Sequence, residues 1–149
     1  MVRKVVYLLM FSLIFFGCKE KDPDIDPNKP KLELISQNLW KLDRFSTPDG
    51  QMIQQNELNQ EAILLFIMDF DFKSNFEVRG VERSSKTIID RGVWKFINNE
   101  ESINVKLTLL DYDFQIVKLT NGKLTLQAPT GNFLSVGEER INLEFSATQ

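Results

Sequence analysis

From residue 39 onward the chain repeats with a period of two. Ile103, Val105, Leu107 and Leu109 alternate with Asn104, Lys106 and Thr108. Leu124 and Leu126 alternate with Lys123, Thr125 and Gln127, and Ile141, Leu143 and Phe145 with Arg140, Asn142 and Glu144. Such alternation puts one side of a segment in a core and the other in water, so each predicts a half-buried antiparallel strand. Phe70 and Phe72 face one way and Asp69 and Asp71 the other; Phe76 and Val78 resume the pattern beyond residues 73–75, which predicts a hairpin. Asn121-Gly122 is the strongest two-residue hairpin signal, since both central positions of a type I′ turn need positive φ. Further turns fall at 98–101, 111–113, 129–132 and 137–139.

The strands predicted in this way are 39–46, 62–72, 75–82, 87–97, 102–110, 113–120, 123–128, 132–136 and 140–146. Short strands in close succession make a meander, and closing the meander removes its unpaired edges. The expectation is therefore an all-β domain, a single antiparallel up-and-down meander β-barrel of 8–9 strands. A short N-terminal helix over 32–38 precedes it. The polar, Gln/Asn-rich stretch 47–59 predicts a long first loop at one end of the barrel, either a lid or a mobile insertion.

The N-terminus follows a different rule. Arg3 and Lys4 precede twelve residues, 5–16, that are apolar except for Ser12, and Gly17-Cys18 follows. Twelve helical residues rise about 18 Å, short of the ~30 Å hydrocarbon core, so the segment reads as the core of an export signal and not as a membrane span. Phe15-Phe16-Gly17-Cys18 resembles the lipobox of bacterial lipoproteins, in which the cysteine is lipidated and becomes the new N-terminus. The resemblance implies a signal peptide over 1–17, a lipid anchor on Cys18 and a membrane as a standing partner. More than one acyl chain makes such attachment stable.

Residues 19–31 hold four acids, four lysines, three prolines and a single large apolar side chain, Ile25. This composition buries too little surface to offset its ordering entropy, so 18–31 is expected to be a lipidated cysteine on a disordered tether. Thirteen extended residues reach at most about 40 Å. The acids just after Cys18 resemble the tag that sends some Gram-negative lipoproteins to the outer face of the outer membrane; a solvated linker is the plainer alternative. The domain then occupies 32–149.

Composition removes several kinds of chemistry. The 149 residues include no His and one Cys, so His- or paired-Cys zinc sites, Ser-His-Asp triads, Cys-His dyads and intrachain disulfides are excluded. The formal charge is −3, and loss of Arg3 and Lys4 with the leader takes it to −5. An acidic chain speaks against a nucleic-acid partner. No cofactor is expected, and no enzyme activity: nothing pairs two carboxylates on an inward face as acid and base. Asp69 and Asp71 share a face, but the Asp-x-Asp spacing lacks the further acids and turn glycine of a calcium loop, so no metal site is expected and the pair reads as a solvated strand face.

Three segments together resemble the lipocalin-like lipoproteins of Gram-negative bacteria: Leu39-Trp40-Lys41-Leu42, Phe70-Asp71-Phe72-Lys73-Ser74-Asn75-Phe76, and Gly92-Val93-Trp94-Lys95-Phe96. The resemblance runs over about residues 32–128. It implies a small up-and-down barrel related in shape to binders of small apolar molecules, anchored in the outer membrane, and it carries no catalytic or ligand residue with it.

An eight-stranded interior is just wide enough to be filled by side chains or to hold one small ligand. After the leader, nine of twelve Phe, both Trp and only three Ala remain. Two readings stay open. In one, Trp40, Asp90, Trp94 and Phe96 line a cavity for a small hydrophobic molecule, with Asp90 orienting it. In the other the tryptophans plug a solid core, Asp90 sits in water at a strand end, and the protein is an accessory subunit with a cell-envelope protein partner. An enclosed volume of about 300 Å³ or more separates the first from the second.

Overall fold

The computed structural model describes residues 28–134 and 139–148. The leader, Cys18 and the tether up to residue 27 lie outside the described residues. No described helix is long and apolar enough to cross a membrane.

Eight strands close into one antiparallel barrel in which every strand pairs with its sequence neighbours and the last returns to the first. They are β1 (Leu39–Ser46), β2 (Met68–Phe72), β3 (Glu77–Glu82), β4 (Ile88–Ile97), β5 (Ser102–Leu107), β6 (Leu110–Leu119), β7 (Lys123–Pro129) and β8 (Arg140–Thr148). Closure runs through β1 and β8, with Trp40 opposite Ala147 and Leu42 opposite Phe145. The expected up-and-down barrel is therefore present, with eight strands.

One short helix, α1 (Lys31–Ser36), precedes β1, as expected from residues 32–38. Pro30 sets its start, Glu33 lies in the favourable first turn, and Leu34 and Ile35 are buried. Just ahead of the helix, Lys29 pairs with Glu33 at 3.3 Å. Helix α1 sits at the end of the barrel that carries the β2–β3, β4–β5 and β6–β7 turns. Lys31 Nζ donates to Glu100 O at 2.8 Å and Asn38 Nδ2 to Asn121 O at 2.8 Å.

Two predicted strands are shorter or missing, for identifiable reasons. Residues 62–67 do not extend β2. They form α2 (Gln60–Leu64) and a 3-10 turn (Leu65–Ile67), because Asn59 caps the helix by accepting from Ala62 N and the run Ile63-Leu64-Leu65-Phe66-Ile67 has no alternation to hold a strand face. Of the strand predicted at 132–136, the described residues 132–134 form no extended pairing: Thr130–Asn132 is a 3-10 turn and Leu134 makes an isolated bridge to Leu58, while 135 and 136 lie outside the described residues.

Three turns differ as well. Asp111, Tyr112 and Asp113 lie inside β6, and the β5–β6 turn is Thr108-Leu109. Asn121-Gly122 joins β6 to β7 as expected, but neither residue is left-handed; the turn is held by Lys123 N donating to Thr120 Oγ1 at 2.9 Å. Left-handed residues occur instead at Asn98, Asn99 and Glu100 in the β4–β5 turn, at Phe76 (φ 67°) in the β2–β3 turn, at Lys86 (φ 57°) in the β3–β4 turn and at Gly50 in the first loop. Phe76 thus leaves the strand pattern and lies over Trp94, with ring centroids 5.4 Å apart.

Bulges repair the alternation where the sequence breaks it. A register shift at Asp43 turns Phe45 into the core where strict alternation would place Arg44, and another near Val117 sets Leu119 opposite Leu124. At Gly92 the neighbouring strand comes close, since a Cβ there would stand 1.7 Å from the Lys106 carbonyl oxygen. The long first loop is docked: Leu58, Ala62 and Leu65 are buried, and Asn59 N donates to Phe133 O at 3.0 Å.

Candidate functional site

The interior of the barrel is the first place to look for a site, and it is full. The inward faces of β1, β2 and β4 contribute Trp40, Phe70, Phe72 and Trp94; Phe114, Leu124, Leu143 and Phe145 come from β6, β7 and β8. All are at most 3% exposed. Rings meet rings along the axis: Phe70 on Phe145 at 5.5 Å, Phe72 on Trp94 at 5.5 Å, and Trp94 on Phe96 at 5.1 Å between centroids. Edge-to-face contacts of this kind add about 0.5–1.5 kcal/mol each beyond the area they bury. Phe133, from the β7–β8 connection, closes the far end against Phe45, Tyr112 and Phe114. Burial is the main cause that raises the Tyr112 phenol above its usual value, with the Glu61 carboxylate adding to it.

Both tryptophans are anchored through their indole nitrogens. Trp40 Nε1 donates to Ile35 O at 2.8 Å, tying β1 to α1, and Trp94 Nε1 donates to Lys73 O at 3.0 Å. Their polar handles are thus spent on backbone within the protein. Trp94 and Phe96 come together in the lumen on the side of α1. Asp90 shares their face of β4 but stands at the opposite end, where the β5–β6 turn folds over it. Thr108 N donates to Asp90 Oδ2 and Thr108 Oγ1 to Asp90 Oδ1, both at 3.0 Å, and Arg91 N donates to Oδ1 at 2.8 Å. The four sequence candidates therefore do not converge on one point.

Two hollows among the described residues open outward. A groove of about 450 Å³ on the outer wall is lined by polar side chains, among them Glu101, Ser102, Asp113, Gln115 and Arg140. A smaller notch of about 210 Å³ lies at the end of the barrel opposite α1. Leu64, Ile67, Met68, Ile89 and Leu109 wall it, and Asp90 and Thr108 complete it. Sequence reasoning missed this notch. Its signals were the unbroken apolar run at 63–68 and the Ile88-Ile89 doublet, both of which interrupt the alternation.

Asp69 and Asp71 are not a solvated face. Asp69 is 2% exposed and accepts from Arg83 Nε at 2.8 Å, with Lys86 Nζ at 3.7 Å; Asp71 pairs with Lys73 at 2.7 Å. On the outer wall beside them, Glu77 accepts from Arg79 Nε and Nη2, both at 2.8 Å, and from Arg91 Nη1 at 2.7 Å. The Arg79 hydrogen bonds, with Arg91 adding to them, hold the Glu77 carboxyl down at about 2. Among the described residues no group of three or more acidic or cysteine side chains is placed to hold a metal ion.

Fold and interior together define the class: a closed eight-stranded antiparallel up-and-down barrel with an aromatic, packed axis. In comparisons with known proteins, no family model matches the chain, and no curated protein matches it either.

Proposed function

We propose that the chain is a cell-envelope lipoprotein, anchored in the outer membrane through Cys18, whose barrel serves as a non-catalytic interaction module and not as a container. One observation supports the choice: Trp40, Phe70, Phe72, Trp94 and Phe114 fill the lumen and are at most 2% exposed. A ligand on the barrel axis has to displace buried rings that already contact one another, and that displacement forfeits their contacts. The outer surface and the two ends are what remain for recognition. The resemblance to lipocalin-like lipoproteins belongs to the same reading, since it joins an exported, lipidated cysteine to a small barrel. The proline-bearing tether spaces that barrel from the membrane, with the α1 end towards the bilayer.

The test is made in cells. Metabolic labelling with an alkyne fatty acid should mark the wild type and leave Cys18→Ala unlabelled and in the soluble fraction. Cross-linking of the lipidated protein should trap a specific envelope protein, and native mass spectrometry of the gently purified protein should show the bare lipoprotein mass. Recovery of monomer alone, or a stoichiometric fatty acid, sterol or porphyrin in the native spectrum, overturns the interaction role.

A further inference from the structure

At the end of the barrel away from α1, aliphatic side chains that elsewhere turn inward face the solvent. Ile67 is 48% exposed, Ile89 49% and Leu109 39%, and all three border the notch, with Ile63 and Ile88 also exposed. Apolar clusters of this kind on a small soluble domain mark places of contact. The floor of the notch is not apolar. Asp90 lines it, partly buried, and its carboxylate offers about four acceptor positions. Among the described residues three are filled, by Thr108 N, Thr108 Oγ1 and Arg91 N, and the fourth meets no donor.

None of those three donors is a charged group, and the nearby cations are engaged elsewhere. Arg91 pairs with Glu77, Lys106 with Asp111, and Arg83 and Lys86 with Asp69. Among the described residues Asp90 has no ion-pair partner. A half-buried anion with apolar walls and no internal cation is complementary to an external cation carried on a hydrocarbon stem. A guanidinium wants two acceptor positions side by side, whereas an ammonium is a point charge that one open position satisfies.

We propose that this notch receives a lysine side chain of a partner protein, its methylene stem against Ile67, Ile89 and Leu109 and its ammonium on Asp90. The inference rests on the interaction role argued above and gives it a place and a chemistry. The docking end is the one turned away from the tether, so a partner reaches it without competing with the membrane.

A water-soluble carbodiimide joins a carboxylate directly to an amine that touches it, so treatment of cells carrying the full lipidated chain reads the contact at Asp90 itself. Mass spectrometry of the digested adduct should find Asp90 amide-bonded to a lysine of another protein. The yield should fall about tenfold in Leu109→Asn, as expected when one partly buried aliphatic contact is lost. Ile67→Ser serves as a second variant with the same expected direction, and Val93→Asn on the outer wall should leave the yield unchanged. Urea unfolding of each purified variant checks that the barrel is intact.

Asp90 coupled to a second copy of this chain, or to a small amine or an aminolipid, overturns the proposal. So does a yield that is the same in all three variants. A partner cross-linked elsewhere on the barrel, with Asp90 uncoupled, removes the notch and leaves the interaction role standing. No protein trapped at any position removes both.

Discussion

Glu77 shows how one exposed-looking side chain links the wall of the barrel to pH. Its carboxylate lies in the fork of Arg79 and beneath Arg91, one residue before the close approach at Gly92. Because its folded-state value is about 2 while an unperturbed glutamate titrates near 4.5, the unfolded chain binds the proton first as pH falls. The stabilisation is therefore complete above about pH 4.5 and is lost progressively as pH drops towards 2. Other carboxylates titrate over the same range, so the measurement is a difference. Urea midpoints of wild type and Glu77→Gln should converge as the pH is lowered from 5 to 2. Midpoints that stay a constant distance apart would show that the arginine fork does not act on the folded state.

Between elements, the weak point of the cylinder is the seam of β1 and β2. Only Leu39, Trp40 and Lys41 pair across it with β2, while β1 runs on to Ser46 with β8 as its one strand neighbour and, on the seam side, only the bridge of Ser46 to Met52 and the bond from Ile53 N to Phe45 O at 3.0 Å. Arg83, from the β3–β4 turn, spans the gap: its Nε donates to the buried Asp69 of β2 and its Nη2 to Leu42 O of β1 at 3.1 Å. Phe45 and Phe66, edge to face at 5.6 Å, fill the opening above. Replacing Arg83 by Met keeps the stem but strands the Asp69 carboxylate, a type of change that costs about 3–5 kcal/mol when both partners are buried. Arg83 is partly exposed and Lys86 lies nearby, so roughly 2 kcal/mol is the expected loss. Restoration of the urea midpoint in Asp69→Asn/Arg83→Met would identify the stranded charge as the cause; two independent losses that simply add would rule it out.

The seam also shows what is legible in a chain of this kind. Strands β5, β7 and β8 could be placed from alternation because each has one wet face and one dry face. Asp69 could not be read correctly, because the side chains that cover it come from Arg83 and Lys86, and period-two patterning says nothing about what folds over an outer face. The run at 63–68 failed for the opposite reason: without alternation, a buried helical turn and a buried strand look alike, and the cap at Asn59 decided between them. Of the candidate site, Asp90, Trp94 and Phe96 were rightly placed on one strand face. That Asp90 belongs to the far end followed only from the length of β4 and from the fold of Thr108 over it.

For the molecule as a whole, the choice between container and interaction module reduces to whether the axis is occupied, and occupancy can be manipulated. Phe70 stands at mid-barrel, opposite Trp40 on β1 and Gly80 on β3, with its ring against Phe145. The room that Gly80 leaves is used by Met68, whose Sδ would stand 2.6 Å from a Cβ there. Phe70→Ala should cost about 3–5 kcal/mol, because backbone closure around the lumen lets the neighbours collapse only partly into the space left behind. A domain of this size has about 5–15 kcal/mol to lose, so a folded variant is expected. Its new cavity is lined by apolar side chains and should stay dry, and it should bind benzene or xenon, as engineered apolar cavities do. A native interior already packed with rings should bind neither. Thermal shifts on addition of benzene therefore separate the alternatives: a rise in Tm confined to Phe70→Ala means that the lumen of the native barrel is solid. An equal rise in the wild type would mean that it keeps room for a guest, and recognition would then have to be sought inside the cylinder and not at its ends.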